Sequence, residues 1–199
     1  MATVSIARCT TYEQKQVEEA VYTCLDNIPE IKSKISKGAK VLVKANLLMK
    51  HDPTDAVTTH PAVVKAIVRY LQAIGCRVII GDSPGGPFNI GRLTGIYKAT
   101  GMTRIAEETG CDLNYDIATV TVMLEQAKKI KNIQIIKIAQ DVDFVVSAAK
   151  LKTHGMMIYT GAVKNLFGVI PGLIKAEYHF KMHDPSDFAH HLVDLCKYI

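Results

Sequence analysis

The chain contains no tryptophan, and aromatic residues make up only 7% of its 199 residues. With so few stacking groups and no RNA- or DNA-binding motif, nucleic acid is not expected as a partner. The five cysteines, Cys9, Cys24, Cys76, Cys111 and Cys196, are odd in number and form no CxxC pair. Neither a zinc ribbon nor an iron–sulfur cluster can be built from that spacing, and most of them read as reduced, buried thiols. No apolar run approaches the roughly 18 residues of a membrane span, so no membrane is expected as a partner. The opening MATVSIARCTTYEQ lacks a signal peptide's charged and apolar regions, which makes the cytoplasm the expected compartment. No Gly-Lys-Ser/Thr follows a glycine-rich loop, which removes the P-loop. The net charge of +5 is mild: it favours anionic ligands slightly and is not a nucleic-acid-binding stripe.

What is present is an α/β pattern. A chain of this length fits one domain, and folding buries about 70% of the surface of the unfolded chain, so no disulfide or metal is needed for stability. Val4 to Arg8 reads as a first strand. Thr11 to Leu25 reads as a helix with a threonine cap, its Val17, Ala20, Val21 and Cys24 at helical spacing. After the polar stretch 27–37, the run KVLVKAN (40–46) reads as a strand of a parallel sheet. Pro61 marks the start of a helix over 62–74, capped by Thr58 or Thr59 and closed by Gly75. RVIIGD (77–82) is the next strand, which completes a right-handed βαβ unit. Two short helices broken at Gly101 follow over 91–110. The β-branched runs 112–123 and 133–139 read as an antiparallel hairpin inserted in the α/β frame, and 143–152 as another buried strand. The final helix, from Pro185, ends without a closing element, and the expectation is one α/β domain over 1–199: a mostly parallel sheet with flanking helices and an incomplete C-terminal part.

In open α/β sheets, ligands sit beyond the carboxyl ends of the strands. Lys44, Asn46, Asp82 and Ser83 all fall there. So does the stretch from Lys150 to His183, which holds five lysines, three histidines, four glycines and a proline but no aspartate. Such a density of basic and imidazole groups points to a small anionic ligand, a metal or both. Lys150 and Lys152 alternate on the strand and are expected on one face, walling one pocket. Lys164 in AVKNLFG has the apolar spacing of a short helix; its ordinary reading is a solvated ammonium over a packed stem. Enclosed among Lys150, Lys152 and Lys175, it would lose basicity and become nucleophilic, fit for tethering or a Schiff base. Gly161, Gly168 and Gly172 serve either turns or close backbone approach. His60, ahead of Pro61 at a helix start, is a further ligand-binding candidate. His190 and His191 are adjacent on a helix, cannot share one face, and read as surface.

Four segments in this order, KANLL (44–48), TTHP (58–61), GDSPG (81–85) and KLKTH…TGAVKNLFG…PG…K…H (150–179), resemble the uncharacterised family called domain of unknown function 362. Some members of that family are longer, and some carry ferredoxin-type clusters that this chain's cysteines do not supply. A more distant resemblance is to the lactate racemase family, through His154, Tyr-Thr-Gly, Lys164, Pro-Gly and His179. That resemblance implies a nickel pincer nucleotide tethered at Lys164, a metal ligand at His179 and a proton-transfer group at His154. The family's second histidine, after the second strand, is replaced here by Gly-Asp-Ser-Pro.

The expected function is an enzyme module, an isomerase or oxidoreductase, that binds a small anionic substrate or a nucleotide-like or metal cofactor. Its reaction would be proton or hydride transfer on a hydroxy or keto acid. His154 and Lys164 would be catalytic and His179 a metal ligand. Lys44, Asn46, His60, Asp82, Ser83, Lys150 and Lys152 would bind the ligand. The rival is a non-catalytic module that docks an acidic ferredoxin-type partner on its lysines.

Overall fold

The structure is a computed structural model, and it describes residues 3–199. Four parallel strands form the central sheet: β1 (Lys40–Ala45), β2 (Arg77–Gly81), β3 (Asp112–Leu113) and β6 (Phe144–Ala148), in the order β3-β2-β1-β6. Between β3 and β6 runs an antiparallel hairpin of β4 (Thr119–Met123) and β5 (Asn132–Ile136).

The strands alternate their burial between two cores. Val41, Val43 and Ala45 of β1, with Val78 and Ile80 of β2, face the first. That side is closed by α3 (Pro61–Ala73), α4 (Ile90–Ala99) and α5 (Met102–Thr109) through Val64, Val68, Leu71, Leu93, Ile96 and Ile105. The helix α1 (Gln14–Asp26) packs outside α3, burying Val17 on Ala62 and Ala66. Leu42 and Ile79, one residue out of phase, face the second core. Here the cover is the β4–β5 hairpin with α6 (Ala162–Leu166), α7 (Gly172–Lys181) and α8 (Pro185–Tyr198).

This arrangement follows from chain order. From β1 the chain moves through α3 to β2, then through α4 and α5 to β3, always away from β6. It then returns by the hairpin to the opposite side of β1. The direction of winding therefore reverses between β1 and β6, and a crevice opens at the carboxyl ends of strands at such a switch point.

Several elements depart from the sequence reading. Residues 4–8 form no strand; Val4 and Ile6 are exposed and pair with no sheet edge. Glu13 rather than Thr11 caps α1, its carboxylate accepting from the amides of Lys15 and Gln16. The stretch 27–37 contains a short helix, α2 (Pro29–Lys34), which starts on its proline. His60, not Thr58 or Thr59, caps α3: its Nδ1 accepts from the amide of Ala62. The run 112–123 is two strands. Asn114 and Asp116 break it by accepting from the amides of Asp116 and Ala118, turns that asparagine and aspartate favour. Only Cys76 and Cys111 are buried, while Cys9 is exposed and Cys24 and Cys196 lie between. No helix among the described residues is long and apolar enough to cross a membrane.

Candidate functional site

The crevice at the switch point is a cleft of about 330 Å3. On β1, Leu42 and Lys44 point to the same face, so the alternation that puts Leu42 in the second core drives Lys44 under α6. Lys44 is 1% exposed and pairs with Asp82 at 2.5 Å. Its ammonium also donates to the carbonyl of Ala45 and to Oδ1 of Asn165, while Asn165 Nδ2 donates back to the carbonyl of Lys44 and to Ser147 Oγ. Burial pulls the Lys44 pKa down and Asp82 opposes it. Asp82 also accepts from the amide of Leu47, tying the end of β2 to the loop after β1. The TTHP loop joins the same corner: Thr59 Oγ1 accepts from the amide of Asn46 and donates to the carbonyl of Ala148.

Over this buried pair lie groups from the 150–183 stretch. A short hairpin, β7 (Lys152–His154) with β8 (Ile158–Thr160), hangs beyond β6. Lys152 turns inwards and donates to Asn46 Oδ1 at 2.8 Å and to the carbonyl of Val57 at 2.5 Å. Lys164 on α6 lies 4.4 Å from the centre of the Phe167 ring. Burial, with Lys44 and Lys152 adding repulsion, brings its pKa to about 8. Lys175 on α7 donates to the carbonyl of Ser83. Burial lowers its pKa to about 7, Asp82 opposing and Lys44 and Lys164 adding to the fall.

The two histidines stack loosely, ring centres 6.1 Å apart. Burial and then Lys164 depress both, His179 to about 4, so each ring is neutral at physiological pH. His154 Nδ1 accepts from the amides of Met156 and Met157 at 3.2 and 3.1 Å. The neutral ring therefore carries its proton on Nε2 and acts as a donor. His179 Nδ1 lies 3.4 Å from the sulfur of Met156.

Eight of the ten residues singled out from the sequence line this cleft: Lys44, Asn46, Asp82, Ser83, Lys152, His154, Lys164 and His179. His60 and Lys150 do not. His60 stacks on Tyr12 at 3.7 Å, and Lys150 donates to the Tyr12 hydroxyl at 3.2 Å. The strand ends at Ala148, so Lys150 lies in coil and Lys152 in the separate β7; the two do not share a wall. His191 is a further correction: it is 1% exposed, packs on Phe167 and Tyr178, and neither ring nitrogen has a partner.

The sequence reading under-weighted Lys175 and missed Asn165, whose fully engaged amide holds the Lys44 corner together. No spacing marks either one, because both are placed by the fold of α6 and α7 over the strand ends. Gly168 and Gly172 serve close approach within the protein itself. A Cβ on Gly168 would strike the Lys44 ammonium and the Asp82 carboxylate, and one on Gly172 would overlap the carbonyl oxygen of Gly86. Among the described residues no group of three or more His, Cys, Asp or Glu side chains could hold a metal ion.

This corner, with KANLL, GDSPG and the long basic motif converging on it, lies wholly within a family match. The model of the domain of unknown function 362 family covers residues 41–199. The chain belongs to that family. It is also 29% identical, over 201 aligned residues and 98% of its length, to a thylakoid-associated protein of Synechocystis sp.. The chain spans 60% of that relative's length. No solved structure matches it significantly. The family is one of unknown function.

Proposed function

We propose that the cleft binds a small carboxylate- or phosphate-bearing ligand and that the module is an enzyme transferring a proton on a hydroxy or keto acid. One observation supports this reading most: four lysines, 44, 152, 164 and 175, face one opening that contains a single carboxylate, Asp82. Asp82 is taken by Lys44. Lys152 is held only by neutral acceptors, so its charge is available to an anion. Lys164, with a pKa of about 8, is poised for acid–base work near neutrality. His154 offers Nε2–H to a substrate oxygen rather than acting as a base, since two backbone amides occupy Nδ1.

The residues present do not complete the nickel-pincer chemistry of the lactate racemases. A lysine for the tether, Lys164, and a neutral imidazole for the metal, His179, are here, but His154 is fixed as a donor. The place of the second acid–base histidine holds Asp82, already bound to Lys44. The ferredoxin-docking alternative needs the Lys150–Lys152 strip turned outwards, and Lys152 is turned in.

The test is calorimetric titration with phosphate, pyruvate and lactate at low salt, with proton NMR in deuterated solvent to follow exchange at the carbon beside the carboxylate. Saturable binding that Lys152→Ala weakens by about tenfold is expected for loss of one charge-assisted contact. No binding of any of these anions, or binding indifferent to Lys152→Ala, would sink the proposal.

A further inference from the structure

We infer that Lys175 forms a Schiff base with a small carboxylate that carries a ketone or aldehyde, and that Lys164 moves the protons for it. This deepens the anion-binding reading above and rests on it. The two amines in the cleft stand in different settings. Lys164 lies over the Phe167 ring at 4.4 Å, with the Phe188 ring at 5.6 Å, and aromatic faces favour its cationic form. Among the described residues Lys175 has no ring beneath it and forms no salt bridge, and its one hydrogen bond is to the main-chain carbonyl of Ser83. A neutral amine that donates one N–H there keeps its lone pair free for attack.

The amine is also well positioned. Gly172, at the start of α7, is pressed against the carbonyls of Pro84 and Gly86 so closely that no side chain fits, which pins the helix to the GDSPG loop. The hydroxyl of Ser83 is buried, lines the cleft and has no hydrogen-bond partner. Buried hydroxyls are ordinarily satisfied, and the oxygen of a carbinolamine formed at Lys175 would satisfy this one. Burial and neighbouring cations bring Lys175 down to about 7, which makes the free amine accessible near neutral pH.

The chemistry balances without an oxidant or reductant. The Lys175 nitrogen bonds to the carbonyl carbon as the carbonyl π pair moves to oxygen, and a proton passes from nitrogen to oxygen. The C–O bond then breaks; the leaving hydroxyl takes a proton from the Lys164 ammonium and departs as water, leaving an iminium. Lys164, now neutral, accepts the proton from the adjacent C–H as that bond's electron pair moves towards the iminium. The reverse steps return the proton and readmit water.

The test is borohydride trapping of the unmodified protein with pyruvate, 2-oxobutyrate or glyoxylate, read by intact mass and peptide mapping. One reduced adduct per chain on the peptide containing Lys175 is expected. Lys175→Arg keeps the charge and removes the nucleophile, and it should cut labelling by about tenfold or more. No adduct, or an adduct on Lys164 or a surface lysine, overturns the inference. Phosphate, which has no carbonyl, separates the two failures. Saturable phosphate binding without an adduct removes the Schiff base and leaves the anion cleft. Loss of phosphate binding as well removes both.

Discussion

The two faces of the central sheet use the same strands for opposite ends. On the first, Val41, Val43 and Ala45 join a buried cluster of apolar side chains. On the second, Leu42 is followed two residues later by Lys44, equally buried, with Asp82 as its counter-charge. A parallel strand buried on both faces has no solvated side on which to put a charge. A lysine at that position must be paired and fully hydrogen-bonded, and Asp82, Asn165 and the Ala45 carbonyl do that. The second face therefore holds a buried ion pair at the switch point, where the first holds apolar side chains.

The largest expected break in this contrast is Lys44→Met. It leaves Asp82 buried without its counter-charge and should cost about 3–5 kcal/mol in urea unfolding, part of it recovered when Asp82→Asn is added. A loss no greater than that of a conservative apolar change would mean the pair is solvated. Gly168→Ala comes next, since its methyl group would strike the Lys44 and Asp82 head groups. A cost of about 1–3 kcal/mol is expected from the forced shift, along with weaker phosphate binding by calorimetry.

Lys175→Met gives the effect of opposite sign. The folded-state pKa of Lys175, about 7, lies below the ordinary lysine value of 10.5. Between those values the unfolded chain holds more protons, so this group's contribution makes stability rise with pH across the window. Below it the buried cation destabilises the fold in full. Thermal melts should show Lys175→Met above the wild type by most at pH below 7, with the gap closing towards the upper end of the window. A constant gap would show that Lys175 does not titrate there. Ile80→Val, on the closed face, should have the smallest effect: about 0.5–1.5 kcal/mol, with anion binding unchanged.

Much of the frame was legible because it is local. The apolar runs of β1 and β2, Pro61 at the head of α3, Gly75 after it and the break at Gly101 are signals carried by neighbouring residues. The same local reading failed at residues 4–8, where a β-like pattern has no sheet edge to join, and at 112–123, where two aspartate and asparagine turns divide one run. His190 and His191 were both read as surface because adjacent helical residues cannot share one face, and only the packing of α8 on Phe167 decides that His191 is the one that faces inwards.

By itself the sequence determined that Lys44, Asn46, Asp82 and Ser83 fall at or just beyond the carboxyl ends of two strands, and that a basic, glycine-broken stretch follows the last strand of the sheet. Both are properties of short segments, set by alternation and by turn-forming residues. The tertiary structure decided which of the charges meet. It sent Lys152 and Lys175 into the cleft and Lys150 out to Tyr12, 121 residues of chain separate Lys44 from its partner Asn165, and burial made Lys164 and Lys175 unequal amines. Desolvation and charge repulsion depend on three-dimensional proximity, which spacing along the chain does not encode.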